Sequence, residues 1–231
     1  MTEVTLVWCD TSQLSREVSP SLQAHLPDAE LHTWKSLRHP DRSWEFLVAR
    51  VLLRNVLSQL INCAPKEVPI AIAKGGKPFL EGALASTGLE FNLSHSHGLV
   101  VVGWCYGAPV GVDVVRVGKV PLDAPLLARQ YLLAQESAWV LAVPEEAELR
   151  FLSLFAQKEA FLKCSGSGLR VELSGAEAVL GFGPALDSRC FLTRFDTISG
   201  PAIVAAASAD SVSRWKLFQT LGPLTLQKLD N

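Results

Sequence analysis

The sequence predicts an α+β protein made of two similar halves, each a helix packed on an antiparallel sheet. The first observation is a repeated order of elements. A helical segment at 42–60 precedes the strand pair FNLSHSHGLVVVGWC, and another at 148–165 precedes FDTISGPAIVAAAS. The second is the length of 231 residues, 48% of them hydrophobic, which suits one large domain or two small ones. We therefore assign residues 1–107 and 108–231 to an N-terminal and a C-terminal half.

Local composition predicts the individual elements. Segments rich in β-branched and aromatic residues indicate strands, and segments with helical periodicity and strong helix formers indicate helices. The predicted strands are VTLVWCD, PIAIAK, LEFNL, LVVVGWC, VGVDVV, FLTRF, AIVAAAS and WKLFQTL. The predicted helices are a short one within Ser21–Pro40 and three more at Arg42–Leu60, Pro125–Leu133 and Glu145–Ser165. Asp41 is a candidate cap for the second of these, and GGKPFL and YGAP predict turns.

Charge and apolar runs exclude several classes of function. The net charge is −2, from 21 basic and 23 acidic residues, so no global positive field attracts nucleic acid or an anionic membrane. The longest apolar runs, such as LVVVGWC, are far shorter than the ~20 residues that a membrane span needs. Any anion-binding site must therefore be local.

The cysteines and the N-terminal segment predict a cytoplasmic protein. The five cysteines are odd in number, widely spaced and without a CxxC pair, which indicates reduced core residues. The segment MTEVTLVWCDTSQ lacks the basic and long apolar regions of a signal peptide.

The segment FAQKEAFLKCSGSGL places charges inside an apolar helical pattern. At about 100° per residue, one stripe of the helix holds Leu152, Phe155, Ala156, Glu159 and Lys163, whereas Ser153 and Gln157 point the other way. Glu159 and Lys163 could form an ordinary surface ion pair, worth only ~0.2–0.5 kcal/mol, on a helix ended by Gly166 or Gly168. Against this, an ionised carboxylate among bulky apolar residues is costly unless it is matched.

A second unusual carboxylate is Asp113, which lies among valines in VGVDVV. Aspartate is disfavoured in strands, so Asp113 either caps a turn at the strand end or needs a cation or donors. If Asp113 and Glu159 meet in space, a hard divalent cation such as Mg²⁺ would relieve their repulsion and bring phosphate oxygens with it. A phosphate ligand would in turn account for Lys163 and Lys158.

Two loops supply further candidate donors to an anion. Ser94 and His95 lie at the mouth of the hairpin SHSHG, where the imidazole could bind a phosphate. The HxH spacing lacks further zinc ligands nearby, and no GxSxG supports a Ser-His hydrolase. In GGKP, the two glycines allow close backbone approach and Lys77 adds charge, although a plain turn explains this motif equally well. The motif GxxxxGK[ST] of a P-loop is absent.

Four motifs in order resemble the 4′-phosphopantetheinyl transferases of the broad-specificity, surfactin-synthetase-activating type. They are GKPFL (Gly76–Leu80), FNLSHS (Phe91–Ser96), GVDVV (Gly111–Val115) and FAQKEAFLKCSGSGL (Phe155–Leu169). The resemblance covers essentially the whole chain and implies an active site at the junction of the halves. It implies Mg²⁺, with Mn²⁺ as the alternative. It also implies transfer of the phosphopantetheine arm of coenzyme A to a serine of an apo acyl or peptidyl carrier protein, releasing adenosine 3′,5′-bisphosphate.

The resemblance also implies roles for the catalytic side chains. Asp113 and Glu159 should ligate the metal, and Glu159 is also the candidate acceptor of the serine proton, directly or through water. Lys163 should neutralise the attacked phosphate. Lys158 precedes the glutamate in the motif and is a further candidate ligand of the coenzyme.

Other positions would hold the coenzyme itself. Ser94 and His95 match the pair that binds its phosphates. The nucleotide should be lined by Gly76, Lys77 and Pro78. Arg42 is a candidate ligand of the 3′-phosphate that no motif fixes, whereas Arg50 and Arg54 are expected to form buried structural pairs.

The chain departs from the family pattern at two positions. Val115 stands where many members have a glutamate that serves as a third metal ligand, and strand alternation puts it on the same face as Asp113. Phe155 replaces the usual tryptophan. An alternative function is therefore a protein of the same fold that binds coenzyme A or a nucleotide without transfer. We expect a monomer, and the sequence does not specify the carrier protein.

Overall fold

The computed structural model of the chain describes residues 2–166 and 188–224. Its helices are α1 (Ser19–Gln23), α2 (Asp28–Ser36), α3 (Pro40–Ile61), α4 (Ala124–Tyr131), α5 (Ala134–Leu141) and α6 (Ala147–Ser165). Its strands are β1 (Thr2–Asp10), β2 (Ile70–Ile72), β3 (Pro78–Leu80), β4 (Leu89–Ser96), β5 (Leu99–Tyr106), β6 (Val110–Arg116), β7 (Cys190–Thr197), β8 (Gly200–Ser208) and β9 (Val212–Gln219). The α+β class is confirmed. Gly168 and Leu169 lie outside the described residues.

The first sheet has the strand order β4-β5-β1-β9 and is covered on one face by α3. The β4-β5-β1 pairs are antiparallel, whereas β9 runs parallel to β1. The long helix buries Leu47, Val51 and Leu52 against Phe91 of β4 and Val102 of β5. The apolar stripe of α3 and the inward residues of the strands thus form one core, in agreement with the sequence pattern.

The second sheet has the order β6-β8-β7, all antiparallel, with α6 packed on one face. Ala156 and Ala160 of α6 pack against Ile203 and Ala205 of β8. The opposite face shares a core with the first sheet, in which Val112 of β6 joins residues of β1 and β5. The division at residues 107 and 108 remains a proposal, and the C-terminal strand β9 pairs with β1 of the first sheet.

Several local predictions were wrong in detail. His39, not Asp41, occupies the N-cap of α3, and Asp41 lies in the first turn, where it pairs with Arg16. The helix α5 was missed. On α6, Ser153 and Gln157 are buried and do not face solvent. The reason is that α4 and α5 pack on one side of α6 while the second sheet packs on another.

The cysteines and helices bear on two further expectations. All five cysteines are free, and Cys9, Cys105 and Cys164 are buried. Burial, followed by the charge of Asp10, raises the pKa of Cys9 to about 12. Within residues 2–166 and 188–224, no helix combines the length and apolar character that crossing a membrane requires.

The predicted buried pairs of Arg50 and Arg54 are confirmed, and their partner is Glu30 of α2. Both guanidinium groups contact the Glu30 carboxylate, and the Arg54 side chain is only 3% exposed. Burial would raise the pKa of Glu30, but the hydrogen bonds from Arg54 and Arg50 outweigh burial and lower it. This cluster fastens α2 to α3.

We expect Glu30→Gln to destabilise the fold by about 3–5 kcal/mol, because it leaves Arg54 buried beside a neutral partner. Since the folded pKa of Glu30 is lowered, its contribution is present above the unfolded pKa and is lost as pH falls through the folded one. Urea unfolding at pH 7 measures the loss. The matched control is Asp41→Asn, whose exposed pair with Arg16 should be worth about 0–1 kcal/mol. Equal losses in both variants would contradict this account.

Candidate functional site

The two sheets meet where β4 lies beside β6. Side chains of β4 alternate, so Phe91 faces α3 while Asn92 and Ser94 face β6. The Asn92 Oδ1 accepts a hydrogen bond of 3.1 Å from the backbone N–H of Val112. The Ser94 hydroxyl donates a hydrogen bond of 2.8 Å to Asp113 Oδ1. Because edge strands have unpaired backbone groups, the buried Asn92 amide satisfies one of them and holds the junction together.

Helix α6 crosses β6 at Gly111. An added Cβ at Gly111 would lie 2.0 Å from the carbonyl oxygen of Ala160 and 2.2 Å from the backbone N of Cys164. No side chain fits between these backbones, so glycine permits the close approach of helix and strand.

Lys163 of α6 joins Asp113 and Ser94. Its Nζ lies 2.6 Å from Asp113 Oδ1 and donates to Ser94 Oγ at 2.9 Å. Asp113 is buried, with a side chain 8% exposed, while that of Lys163 is 29% exposed. The carboxylate therefore has both a cation and a hydroxyl donor, as a buried aspartate requires. The alternative that Asp113 merely caps a turn does not fit these contacts.

Glu159 lies one turn before Lys163 on α6, and the charge of Asp113 affects its pKa. Burial raises its pKa, the carboxylate of Asp113 raises it further, and the ammonium of Lys163 partly offsets both. Two carboxylates whose charges repel each other form a site that favours a cation. Mg²⁺ binds through one or two carboxylates and keeps several waters, so Asp113 and Glu159 are the candidate ligands for such an ion. The described residues contain no cluster of three or more His, Cys, Asp or Glu that could hold a metal.

A cleft of about 320 Å³ opens beside these groups. Its lining residues are Gly75, Gly76, Lys77, Pro78, Asn92, Leu93, Glu159, Leu162, Lys163 and Gly166. The turn before β3 thus forms one wall, the end of α6 another, and β4 the floor. A mixed wall of backbone, apolar and charged groups is typical of a site for a small charged ligand.

The glycine-containing turn packs on the C-terminus of α6. A Cβ at Gly75 would lie 2.3 Å from the carbonyl oxygen of Gly166. The Lys77 Nζ donates to the carbonyl oxygen of Cys164 at 3.1 Å and lies 3.6 Å from a Glu90 carboxylate oxygen. Lys77 therefore stabilises the negative end of the helix dipole in addition to lining the cleft.

His95 lies on the opposite side of β4 from Ser94. Its Nδ1 contacts Glu45 Oε1 of α3 at 2.6 Å, and its side chain is 41% exposed. The structure thus separates the two members of the predicted phosphate pair, placing Ser94 at Asp113. Arg42 is exposed in the first turn of α3 and is not among the described residues that line the cleft.

The prediction that Lys158 contacts the coenzyme does not fit its position. Its side chain is fully buried, and its Nζ lies 2.8 Å from Glu136 Oε1 of α5, which is 1% exposed. The side chain therefore points away from the cleft, into the contact between α5 and α6. Val115, as predicted, shares the α6 face of β6 with Asp113, and it packs there against apolar residues.

Sequence reasoning missed three polar residues that shape the site. Asn92 lies inside the motif FNLSHS, and an amide in an apolar strand is a usable signal that it has a partner. Glu45 and Glu136 are glutamates on helices whose partners, His95 and Lys158, are distant in sequence. Nothing in their local pattern distinguishes them from solvent-facing glutamates.

Comparison with known proteins places the chain in a family. A family model described as "4′-phosphopantetheinyl transferase superfamily" matches residues 109–200. A second, described as "4′-phosphopantetheinyl transferase, N-terminal", matches residues 22–105. The two matches together include all the site residues described above.

Individual relatives carry the same name. The chain is 30% identical over 149 residues to the 4′-phosphopantetheinyl transferase HetI of Nostoc sp., covering 64% of this chain and 62% of that protein. It is 32% identical over 135 residues to psf-1 of Bacillus pumilus (58% and 55%) and 23% identical over 161 residues to Sfp of Bacillus subtilis (69% and 69%). The matched part thus spans less than two thirds of the first two relatives. The chain belongs to the 4′-phosphopantetheinyl transferase superfamily.

Proposed function

We propose that the chain transfers the 4′-phosphopantetheine arm of coenzyme A to a serine of an apo acyl or peptidyl carrier protein. The by-product would be adenosine 3′,5′-bisphosphate. The observation that supports this most directly is the contact of Lys163 with Asp113 and Ser94 beside Glu159, at the cleft between α6, β4 and the turn before β3. The family's known members carry that activity in their names. The surfactin-type subclass, the cytoplasmic location and the monomeric state stay predictions.

Coenzyme A would lie in the cleft with its diphosphate near Lys163. An ammonium group has three N–H donors, and Asp113 and Ser94 receive two of those of Lys163. The third is available for a non-bridging oxygen of the β-phosphate. Mg²⁺ or Mn²⁺, held by Asp113 and Glu159, would supply further charge neutralisation at the phosphate. The cleft-lining Gly76, Lys77 and Pro78 would bind the nucleotide.

Transfer requires the carrier serine to lose its proton as its oxygen attacks the β-phosphorus. The new P–O bond forms as the bond to the adenosine 3′,5′-bisphosphate oxygen breaks. Glu159 is the candidate base, directly or through water, because burial and Asp113 raise its pKa and so make its carboxylate more basic. Lys163 stabilises the charge on the phosphate oxygens in the transition state.

A second candidate function is binding of coenzyme A or a nucleotide without transfer. The observation that favours it is Val115, an apolar side chain on the Asp113 face of β6 where it packs with residues of α6. A valine cannot coordinate a metal, so water would have to complete the metal shell. Tight coenzyme binding without turnover under either metal would select this alternative.

We expect Lys163→Ala to lower kcat/KM of transfer by about 10²–10³-fold, because it removes a donor aimed at the attacked phosphate. The measurement is the mass of an apo carrier protein after incubation with coenzyme A and Mg²⁺. Lys66→Ala is the control, since Lys66 is 56% exposed and 3.9 Å from its nearest acid. Unchanged transfer in a double Asp113→Ala, Glu159→Ala variant would refute the proposed site. No phosphopantetheine gain by several carriers would refute the proposed activity.

We expect Glu159→Gln to abolish transfer while making the ligand-free protein more stable at pH 7.5. A carboxyl whose folded pKa is raised binds more protons folded than unfolded, so its ionisation costs stability as pH rises above the unfolded pKa. Removing the charge should raise Tm by about 1–4 °C at pH 7.5 and leave it unchanged at pH 4. A lower Tm at pH 7.5 would contradict the account.

The same variant tests metal binding independently of activity. Mg²⁺ should raise Tm of the wild-type protein more than that of Glu159→Gln, because a ligand that binds the folded state stabilises it by an amount that grows with the logarithm of its affinity. Glu145→Gln, at an exposed position before α6, should behave as wild type. Chelation by EDTA should reverse the shift. Equal Mg²⁺ shifts in all three proteins would remove Glu159 from the metal site.

A further inference from the structure

A glutamate of α3 forms hydrogen bonds with the end of β4 and with the turn that follows it. Glu45 is only 14% exposed, and its two carboxylate oxygens have separate partners. Oε1 contacts Nδ1 of His95 at 2.6 Å, and Oε2 accepts a hydrogen bond of 2.6 Å from the backbone N–H of Gly98. One carboxylate therefore fixes both the imidazole ring and the turn that follows it.

The turn at His97 and Gly98 is held from two other directions. The Arg116 Nε donates to the carbonyl oxygen of His97 at 3.0 Å, and the backbone N–H of Thr11 donates to that of Gly98 at 2.7 Å. His97 itself has φ of 48°, a left-handed backbone conformation that residues other than glycine rarely adopt. Such a conformation persists only where surrounding contacts fix it. The position of His95 is thus fixed by the fold as well as by Glu45.

The contact with Glu45 decides what the other ring nitrogen can do. A carboxylate only accepts, so Nδ1 of His95 must carry a proton. Among the described residues Nε2 of His95 has no hydrogen-bond partner, and the ring is 41% exposed. In the neutral ring Nε2 is then an acceptor, and it becomes a donor only in the imidazolium form. A phosphate oxygen likewise only accepts, so a ring that bridges Glu45 and a phosphate carries a proton on both nitrogens.

We propose that Glu45 is a positioning residue for coenzyme binding: it holds His95 through Nδ1 and leaves Nε2 exposed to donate to a phosphate of coenzyme A. This rests on the proposed function. It differs from the role predicted for His95, because Glu45 acts through the ring and touches no ligand. Nothing in the local sequence of α3 indicated it.

The decisive variant is Glu45→Gln. The amide oxygen can still accept from Gly98, so the turn is kept, but the charge beside His95 is lost. We expect Kd for coenzyme A, measured by calorimetry, and KM for coenzyme A to rise about 3- to 10-fold. The kcat at saturating coenzyme and KM for the carrier should stay within about twofold, because neither depends on the interaction.

The matched control is Glu148→Gln. Glu148 also accepts a hydrogen bond from a turn glycine, the Gly118 N–H at 2.7 Å, but that partner is a backbone group and not a histidine. This variant should leave Kd for coenzyme A unchanged. It separates loss of a carboxylate that holds a turn from loss of the charge beside His95.

A double-mutant cycle tests whether Glu45 acts through His95. In a His95→Ala background, Glu45→Gln should change Kd by less than about twofold, since the group it positions is gone. An equal effect in both backgrounds would overturn the proposal, as would a His95→Ala variant that binds coenzyme A like wild type. Failure of the wild type to bind coenzyme A would overturn the proposed function with it. If the wild type transfers the arm but Glu45→Gln binds coenzyme A with an unaltered Kd, this inference is overturned and the proposed function stands.

A measurement on the wild-type protein keeps the test available if Glu45→Gln does not fold. Ring ¹⁵N NMR, assigned with His95→Ala, should show Nδ1 of His95 protonated in the neutral ring as well as in the charged one. A neutral ring with its proton on Nε2 would overturn the proposal, because Glu45 could then not be its hydrogen-bond acceptor.

Discussion

The close contact of α6 with β6 is the constraint on which the rest of the site depends. It exists because Gly111 has no side chain, and a Cβ there would lie 2.0 Å from the carbonyl oxygen of Ala160. Bringing the helix this near places Lys163 Nζ 2.6 Å from Asp113 Oδ1, two residues along the strand. The packing of these two backbones thus sets the positions of Asp113, of Lys163 and of Glu159, which lies one turn earlier on α6.

Some buried charges of the protein are paired with an opposite charge, whereas one carboxylate at the cleft is in an environment that disfavours its ionised form. Arg116 and Asp10 are 1% and 0% exposed and pair at 3.3 Å, and Lys158 pairs with Glu136 in a similar way. Such pairs cost desolvation and contribute little net stability, but losing one partner is severe. Glu159 differs, because its pKa is raised by burial and by Asp113. Unfavourable charge that persists at a cleft, while neighbouring charges are matched, is a mark of a binding site.

The sequence predicted those features that depend on short-range pattern. Helix α3 and the strands β4, β5 and β6 follow from periodicity and β-branched content, and each was placed within a few residues. Helix α5 was missed because Ala134–Leu141 is short and lacks a clear periodicity. The face assignment of α6 failed because a helical wheel assumes one buried side, whereas α6 is covered from two. A pair of residues far apart in sequence, such as Glu45 and His95, cannot be predicted from the local pattern around either residue.

The two lysines near Glu159 have different partners in the structure, although motif matching assigns them the same role. In the letters QKEAFLK one lysine is one residue before the glutamate and the other is four residues after it, and the motif assigns both to the ligand. A helix turns by about 100° per residue, so Lys158 and Lys163 point to different surroundings. Lys158 enters the contact with α5, where Glu136 neutralises it, and Lys163 reaches Asp113 across β6. What separates a structural lysine from a ligand-binding one is therefore the element packed against each side of the helix, which only the three-dimensional arrangement provides.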